Sequence, residues 1–125
     1  TYLVKVNETT PHQTILNELI QQESMLLQEF LPGILDQGEI SLLVFGGEYT
    51  HAVRKIGKPG DFRIHDDHGG TVHPYKATDD EIVFALRAVQ ACPLPPTYAR
   101  VDLVRDEANQ LRLMELELIE PELFL

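Results

Sequence analysis

The stretch that most constrains the fold runs from Tyr98 to Pro121, where two strand-like segments flank a polar turn. The first reads Tyr-Ala-Arg-Val-Asp-Leu-Val-Arg and the second reads Leu-Met-Glu-Leu-Glu-Leu-Ile-Glu-Pro, which indicates a β-hairpin. Polar and apolar residues alternate along both segments. Because side chains on a strand alternate between faces, we expect one polar and one apolar face.

The position of the turn predicts which residues of the hairpin face each other. With the turn near Ala108, Asp102 faces Glu115 and Arg100 faces Glu117, and these four side chains share one face. The opposite face is apolar and consists of Val101, Leu103, Met114, Leu116 and Leu118.

Three carboxylates on the polar face, Asp102, Glu115 and Glu117, repel one another unless a cation neutralises them. Hard divalent cations such as Mg²⁺ prefer all-oxygen ligands of this kind. A solvated polar face of an antiparallel sheet fits the same spacing, so spacing alone leaves both interpretations open.

Composition narrows the class of protein. The 125 residues are enough for one domain with a core, and the net charge of −10 argues against nucleic-acid binding. No apolar run or signal-peptide pattern indicates a membrane segment or secretion. The single Cys92 excludes an intrachain disulfide and favours a cytoplasmic location. The chain starts at Thr1 in a strand-like segment, which predicts a piece of a longer protein.

The first third of the chain mixes strand-like and helical patterns. Residues 2–6 are typical of a strand, and Thr10 followed by Pro11 predicts the start of a helix. The apolar run at residues 25–31 predicts a second strand, and residues 32–38 are expected to form a loop.

The remaining segments complete an α+β pattern. Segments 40–45 and 48–56 flank two glycines, which predicts a hairpin. Residues 57–75 read as one long, polar, glycine-rich loop, and loops of this length are usually functional or disordered. A capping box at Thr78 to Glu81 begins a second helix. We therefore expect a mostly antiparallel sheet with two helices packed on it.

Several cations lie close in sequence or topology to the acidic hairpin face, namely Arg54, Lys55, Arg63 and Arg100. An arginine fork can bind a phosphate or carboxylate, although surface arginines also balance an acidic chain. Residues His65, Asp66, Asp67, His68 and His73 do not match a zinc-ligand spacing. The sequence contains no nucleophile elbow and no phosphate-loop motif.

Several segments together resemble the C-terminal part of the ATP-grasp ligases, in particular the glutathione-synthetase-like enzymes. They run in that family's order over residues 24–125. The segments are Gln28-Glu29-Phe30-Leu31-Pro32, Gly46-Gly47-Glu48, His51-Ala52-Val53-Arg54-Lys55, Lys58-Pro59-Gly60-Asp61-Phe62-Arg63, His68-Gly69-Gly70-Thr71-Val72, Tyr98-Ala99-Arg100-Val101-Asp102 and Met114-Glu115-Leu116-Glu117-Leu118-Ile119-Glu120-Pro121. The resemblance implies a partial ATP-grasp domain, with residues 1–31 a remnant of the small nucleotide-binding subdomain and residues 32–125 the C-terminal subdomain.

The resemblance also implies a role for individual residues. Cofactor-binding positions are Lys5 at the nucleotide phosphates, the adenine hinge at Gln28, Glu29, Phe30 and Leu31, and Glu39 at the ribose. The metal ligands are Asp102, Glu115 and Glu117. Arg54, Arg63 and Arg100 are the catalytic cations at the phosphates or the acylphosphate. Glu117 departs from the asparagine usual in the wider family, and the expected glycine-rich lid after Lys5 is absent from residues 6–10.

The implied activity is ATP-dependent joining of a carboxylate to an amine or a thiol through an acylphosphate, with Mg²⁺, or Mn²⁺ in its place. Small-molecule acids and amines are the implied partners, without nucleic acid or membrane, and a homo-oligomer is left open. One alternative is a degenerate, non-catalytic relative that binds a ligand or partner. A second is a metal-dependent hydrolase or plain binding module, which would bind metal without depending on ATP.

Overall fold

The computed structural model describes residues 2–5, 7, 9–58 and 69–125. The chain divides into two compact units, Thr1–Phe30 and Leu31–Leu125. The first unit contains helix α1 (Thr9–Leu19). No helix in the described part of the chain is long and apolar enough to cross a membrane.

The two strands predicted in the first third of the chain are not formed in the described residues. Residues 2–5 and 24–31 have no regular secondary structure. A strand needs a neighbouring strand to accept and donate its backbone hydrogen bonds, and an apolar sequence alone does not provide that neighbour. Leu26 and Leu27 are accordingly 88% exposed.

The second unit is built on one antiparallel sheet of five strands in the order β3-β2-β1-β4-β5. The α+β prediction is confirmed. Two segments that were predicted to be loop form regular structure instead, since residues 33–37 form a short helix and residues 71–75 form an edge strand. The elements are α2 (Gly33–Gln37), β1 (Glu39–Phe45), β2 (Glu48–Ile56), β3 (Thr71–Tyr75), α3 (Asp79–Gln90), β4 (Tyr98–Arg105) and β5 (Leu111–Glu117).

Helix α3 covers one face of this sheet, which we call the helix face. The helix begins at the predicted capping box, in which Thr78 and Glu81 bond each other's backbone N–H groups. Ala85 and Val89 of the helix are buried against apolar side chains of the central strands. The strand residues of this core are Ile40, Leu42, Val44, Ala52, Ala99, Val101 and Leu103.

The register of the last hairpin agrees with the prediction at the polar positions. Asp102 pairs with Glu115, and Arg100 pairs with Glu117. A β-bulge then shifts the register, so that Leu103 pairs with Leu113. The simple alternation did not predict this bulge, which inserts one additional residue into β5.

Candidate functional site

Strand pairing gathers six charged side chains on the sheet face opposite α3, which we call the acidic face. Residues that pair directly across antiparallel strands point to the same face. Glu39 of β1 pairs with Lys55 of β2, while Ser41 of β1 pairs with Asp102 of β4. The acidic face therefore consists of Glu39, Lys55, Arg100, Asp102, Glu115 and Glu117.

Asp102 lies at the centre of the acidic face and is completely buried. Lys55 Nζ donates to its Oδ2 at 3.0 Å. Arg100 Nε lies 3.1 Å from both carboxylate oxygens of Asp102. A buried carboxylate is tolerated only when cations and hydrogen bonds compensate for lost hydration, and these two cations supply that compensation for Asp102.

Lys55 connects Asp102 to a second buried carboxylate, because its ammonium also forms an ion pair with Glu39. Burial raises the pKa of Glu39, and the neighbouring charge of Asp102 raises it further, although Lys55 acts in the opposite direction. The sequence resemblance did not assign Lys55 a role in the site. Its position depends on a register shift between Leu43 and Val44 in the β1–β2 hairpin, which places Lys55 opposite Glu39.

Arg100 reaches the more open side of the acidic face. Its Nη2 lies 2.6 Å from Glu117 Oε2 and 3.2 Å from Glu115 Oε2. Burial alone would lower the pKa of Arg100, but the charges of Asp102 and Glu117 outweigh that effect and raise it. Four carboxylates thus meet two cations, which leaves two negative charges uncompensated within the group.

The donor atoms of this face have the chemistry that Mg²⁺ or Mn²⁺ prefers, namely carboxylate oxygens. Ser41 adds a hydroxyl that is fully buried on the strand next to Asp102, with no hydrogen-bond partner in the described part of the chain. Within the described ranges, however, no three His, Cys, Asp or Glu side chains are grouped closely enough to hold a metal ion. The ligand types fit a divalent cation, while the guanidinium of Arg100 stands among Asp102, Glu115 and Glu117.

The structure does not bring Arg54 to the acidic face. Arg54 pairs with Ile40 on the helix face, and its guanidinium carbon lies 4.5 Å from the centre of the Tyr75 ring. Neighbours on a strand point to opposite faces, so Lys55 lies beside the carboxylates and Arg54 does not. The catalytic role of Arg54 remains a prediction. Lys55 is the cation of this strand that lies beside the carboxylates.

Of the other predicted site residues, Glu39 lies on the acidic face. Arg63 lies outside the described residues. Lys5, together with hinge residues Gln28, Glu29 and Phe30, belongs to the first unit, whereas Leu31 begins the second, where its carbonyl accepts a hydrogen bond from the Ile34 N–H at 3.2 Å. Glu39 is already held by Lys55. The nucleotide roles of these residues stay predictions.

Of the histidines considered for zinc, only His73 is described. It lies on β3, where its Nε2 and Thr71 Oγ1 are 2.9 Å apart. His65 and His68, with Asp66 and Asp67, lie outside the described residues.

The fold and the site together define a class of protein, the ATP-grasp proteins. The sequence profile of the RimK-like ATP-grasp domain matches residues 3–119, and the chain belongs to this family. The expected resemblance is thereby confirmed at the level of the family.

Curated relatives agree with this assignment. The chain is 34% identical over 89 residues to a protein of Mannheimia succiniciproducens named probable alpha-L-glutamate ligase, covering 71% of this chain and 29% of the relative. It is 34% identical over 103 residues to a protein of the same name from Haemophilus influenzae strain PittEE, covering 78% and 33%. The chain thus spans about a third of the length of these relatives.

Solved structures show the same fold. The crystal structure of the D-cycloserine synthetase DcsG superposes with a TM-score of 0.59 at 30% identity, covering 75% of this chain and 34% of that protein. The ATP-grasp ligase PsnB, solved with a variant precursor, Mg and ADP, gives a TM-score of 0.54 at 20% identity, covering 72% and 26%, and this likeness supports the fold alone.

Proposed function

We propose that this chain supplies the ATP- and magnesium-binding part of a ligase that joins a carboxylate to an amine or a thiol through an acylphosphate. The observation that carries the proposal is the acidic face, where the buried Asp102 and three less buried carboxylates give an excess of negative charge in a chain of the ATP-grasp family. Such an excess suits a bound divalent cation, because uncompensated carboxylates at short distance repel one another.

The proposed metal ligands are Asp102, Glu115 and Glu117. Mg²⁺, or Mn²⁺ in its place, would supply charge neutralisation for the phosphates of ATP when bound there. Lys55 donates a hydrogen bond to the carboxylate of Asp102 and fixes its position. Arg100 provides a fork of donors suited to a phosphate or an acylphosphate oxygen.

In the proposed reaction a substrate carboxylate oxygen bonds to the γ-phosphorus of ATP while the bond to ADP breaks. The amine or thiol then bonds to the acyl carbon, inorganic phosphate leaves, and the proton of the nucleophile passes to solvent or phosphate. The protein contributes orientation and charge stabilisation, and needs no covalent nucleophile of its own.

The names of the relatives suggest substrates for the complete protein. Because two of them are named as glutamate ligases, we propose that the reactants are small molecules bearing carboxylate and amine groups, glutamate among them.

The proposal is tested by calorimetric titration of the chain with a non-hydrolysable ATP analogue, with and without Mg²⁺. We expect binding that strengthens with Mg²⁺, and loss of that dependence in Asp102→Asn. Glu81→Gln is a matched control, because Glu81 is an equally buried carboxylate on the helix face. Metal dependence that persists in Asp102→Asn would contradict the proposed site, and binding without turnover in the full-length protein would favour a non-catalytic relative.

A further inference from the structure

Arg100 contacts each of the three proposed metal ligands, as a bound cation would. Its Nε lies 3.1 Å from the oxygens of Asp102, and its Nη2 lies 2.6 Å from Glu117 and 3.2 Å from Glu115. The positive charge of the guanidinium and that of a divalent ion cannot share these oxygens without strong repulsion.

We propose that Arg100 is a resident cation, which a divalent metal displaces from Glu115 and Glu117 when it binds. The proposal rests on the proposed function, because it takes Asp102, Glu115 and Glu117 as metal ligands. It adds an antagonism between the metal and a residue of this chain. The displaced guanidinium becomes available to an anionic group beside the metal, such as a phosphate.

The two cations of the acidic face differ in how easily they can be displaced. The partners of Lys55 are closed in, since the side chains of Glu39 and Asp102 are only 12% and 1% exposed. The outer partners of Arg100 are more open, with side-chain exposures of 51% for Glu115 and 32% for Glu117. An ion pair of an exposed carboxylate contributes little free energy, so replacing Arg100 by a metal ion at Glu115 and Glu117 costs less than replacing Lys55 at Glu39 and Asp102.

One consequence is a coupling between metal and phosphate. Metal binding alone must break the contacts of Arg100 with Glu115 and Glu117 and leave the guanidinium without those partners. A phosphate beside the metal gives the guanidinium new acceptors and offsets that loss. Metal and phosphate should therefore bind cooperatively, beyond their direct attraction to each other.

The first test measures Mn²⁺ affinity by electron paramagnetic resonance, without nucleotide, in the wild type, Arg100→Met and Arg105→Met. We expect Arg100→Met to tighten Mn²⁺ binding by about tenfold or more, because the competing cation is gone. Arg105→Met is the matched control, since Arg105 also contacts two carboxylates but adjoins α3. Unchanged or weaker Mn²⁺ binding in folded Arg100→Met would overturn the proposal.

The second test uses the wild type alone and separates displacement from simple removal of a charge. Ion pairing restricts rotation about the Cζ–Nη bonds of an arginine, so its Nη signals stay resolved in ¹⁵N NMR spectra. At saturation with Mg²⁺ alone, we expect the Nη signals of Arg100 to broaden or average while those of Arg105 stay unchanged. Resolved, unchanged Arg100 signals at saturation would overturn the proposal even if Arg100→Met fails to fold.

The outcomes distinguish this inference from the proposed function. If Mg²⁺ binds through Asp102 while the Arg100 signals stay unchanged, the displacement is wrong and the metal site stands. If neither the wild type nor Arg100→Met binds Mg²⁺ or Mn²⁺, even with the ATP analogue, both ideas fail together.

Discussion

The two faces of the sheet both bury carboxylates, but they compensate for them differently. In the first turn of α3, Glu81 is 1% exposed and accepts hydrogen bonds from the Thr78 N–H, the Tyr75 hydroxyl and Arg105. Arg105 also contacts Asp80 at 2.8 Å. On the acidic face, Asp102 is equally buried, but its cations are shared with further carboxylates.

The ratio of charges is the same in both groups, two carboxylates for each cation, so the difference lies in what else holds the carboxylates. The carboxylates of Asp80 and Glu81 share Arg105, and Arg54 stacks on the adjacent Tyr75 ring. A capping box anchors this group to the start of α3, which is a sufficient structural reason for it. The acidic face has an excess of two carboxylates, and its strands offer no helix cap to explain them. Neither buried charge nor an excess of carboxylates next to solvent marks a functional site by itself, since the Asp80 side chain is also 59% exposed; a charged group without a structural motif to explain it is the stronger candidate.

The largest expected effect comes from removing the central carboxylate. Asp102→Ala leaves Lys55 and Arg100 buried without their shared partner, and we expect a loss of about 3–5 kcal/mol in the free energy of unfolding. Chemical denaturation of the variant and the wild type measures the loss. A change below about 1 kcal/mol would show that water or the remaining carboxylates compensate for both cations, and the contrast between the faces would weaken.

The helix face provides the matching test. Glu81→Gln keeps the shape of the side chain but weakens the ion pair with Arg105, so we expect a loss of about 1–3 kcal/mol in stability. Because Glu81 belongs to the helix cap, affinity for Mg²⁺ and nucleotide should stay as in the wild type. Calorimetry on the folded variant checks this, and a loss of metal affinity would break the assignment of separate roles to the two faces.

Glu115 separates stability from binding on the acidic face. Its side chain is 51% exposed, so Glu115→Gln should change the free energy of unfolding by less than about 1 kcal/mol. We expect Mg²⁺ affinity in the presence of the ATP analogue to fall by about tenfold or more. The matched control is Glu107→Gln in the exposed turn of the same hairpin, which should change neither quantity. Equal metal affinity in the two variants would remove Glu115 from the site.

Much of this arrangement follows from strand parity alone. Asp102 and Glu115 could be placed opposite each other because alternation along two strands and one polar turn fixes a register. The same reasoning fails for the two-glycine hairpin, where the turn pairs Phe45 with Glu48 and unbroken alternation would place Arg54 opposite Glu39. A register shift between Leu43 and Val44 places Lys55 there instead and turns Arg54 to the other face. Family resemblance names positions along the chain but carries no information about the face to which a side chain points.

Other features depend on interactions that a local pattern does not contain. The run from Met25 to Leu31 is apolar enough for a strand, but a strand exists only with a pairing partner. The bulge after Asp102 and the insertion of Arg100 among three carboxylates arise from packing between strands that are distant in sequence. Neither leaves a periodic signal.

The smallest expected effect concerns Asp106, a carboxylate in the β4–β5 turn whose charged partner, Arg112, is more than half exposed. The N–H of Gln110, Arg112 and the N–H of Ala108 lower the pKa of Asp106, and each hydrogen bond favours the ionised form. A lowered pKa in the folded state contributes stability above the unfolded value. That contribution is lost as the pH falls through the folded value.

Asp106→Asn should therefore be slightly less stable than the wild type near neutral pH, because the amide retains an acceptor oxygen but no charge for Arg112. The difference should shrink as the pH falls through and below the ordinary titration range of an aspartate, since the wild-type carboxylate then becomes protonated as well. Thermal unfolding of both proteins across this range measures the difference. A difference that grows on acidification would reverse the sign of the argument, and one as large as that of Asp102→Ala would show that the exposed cation of this pair does not weaken it relative to the acidic face.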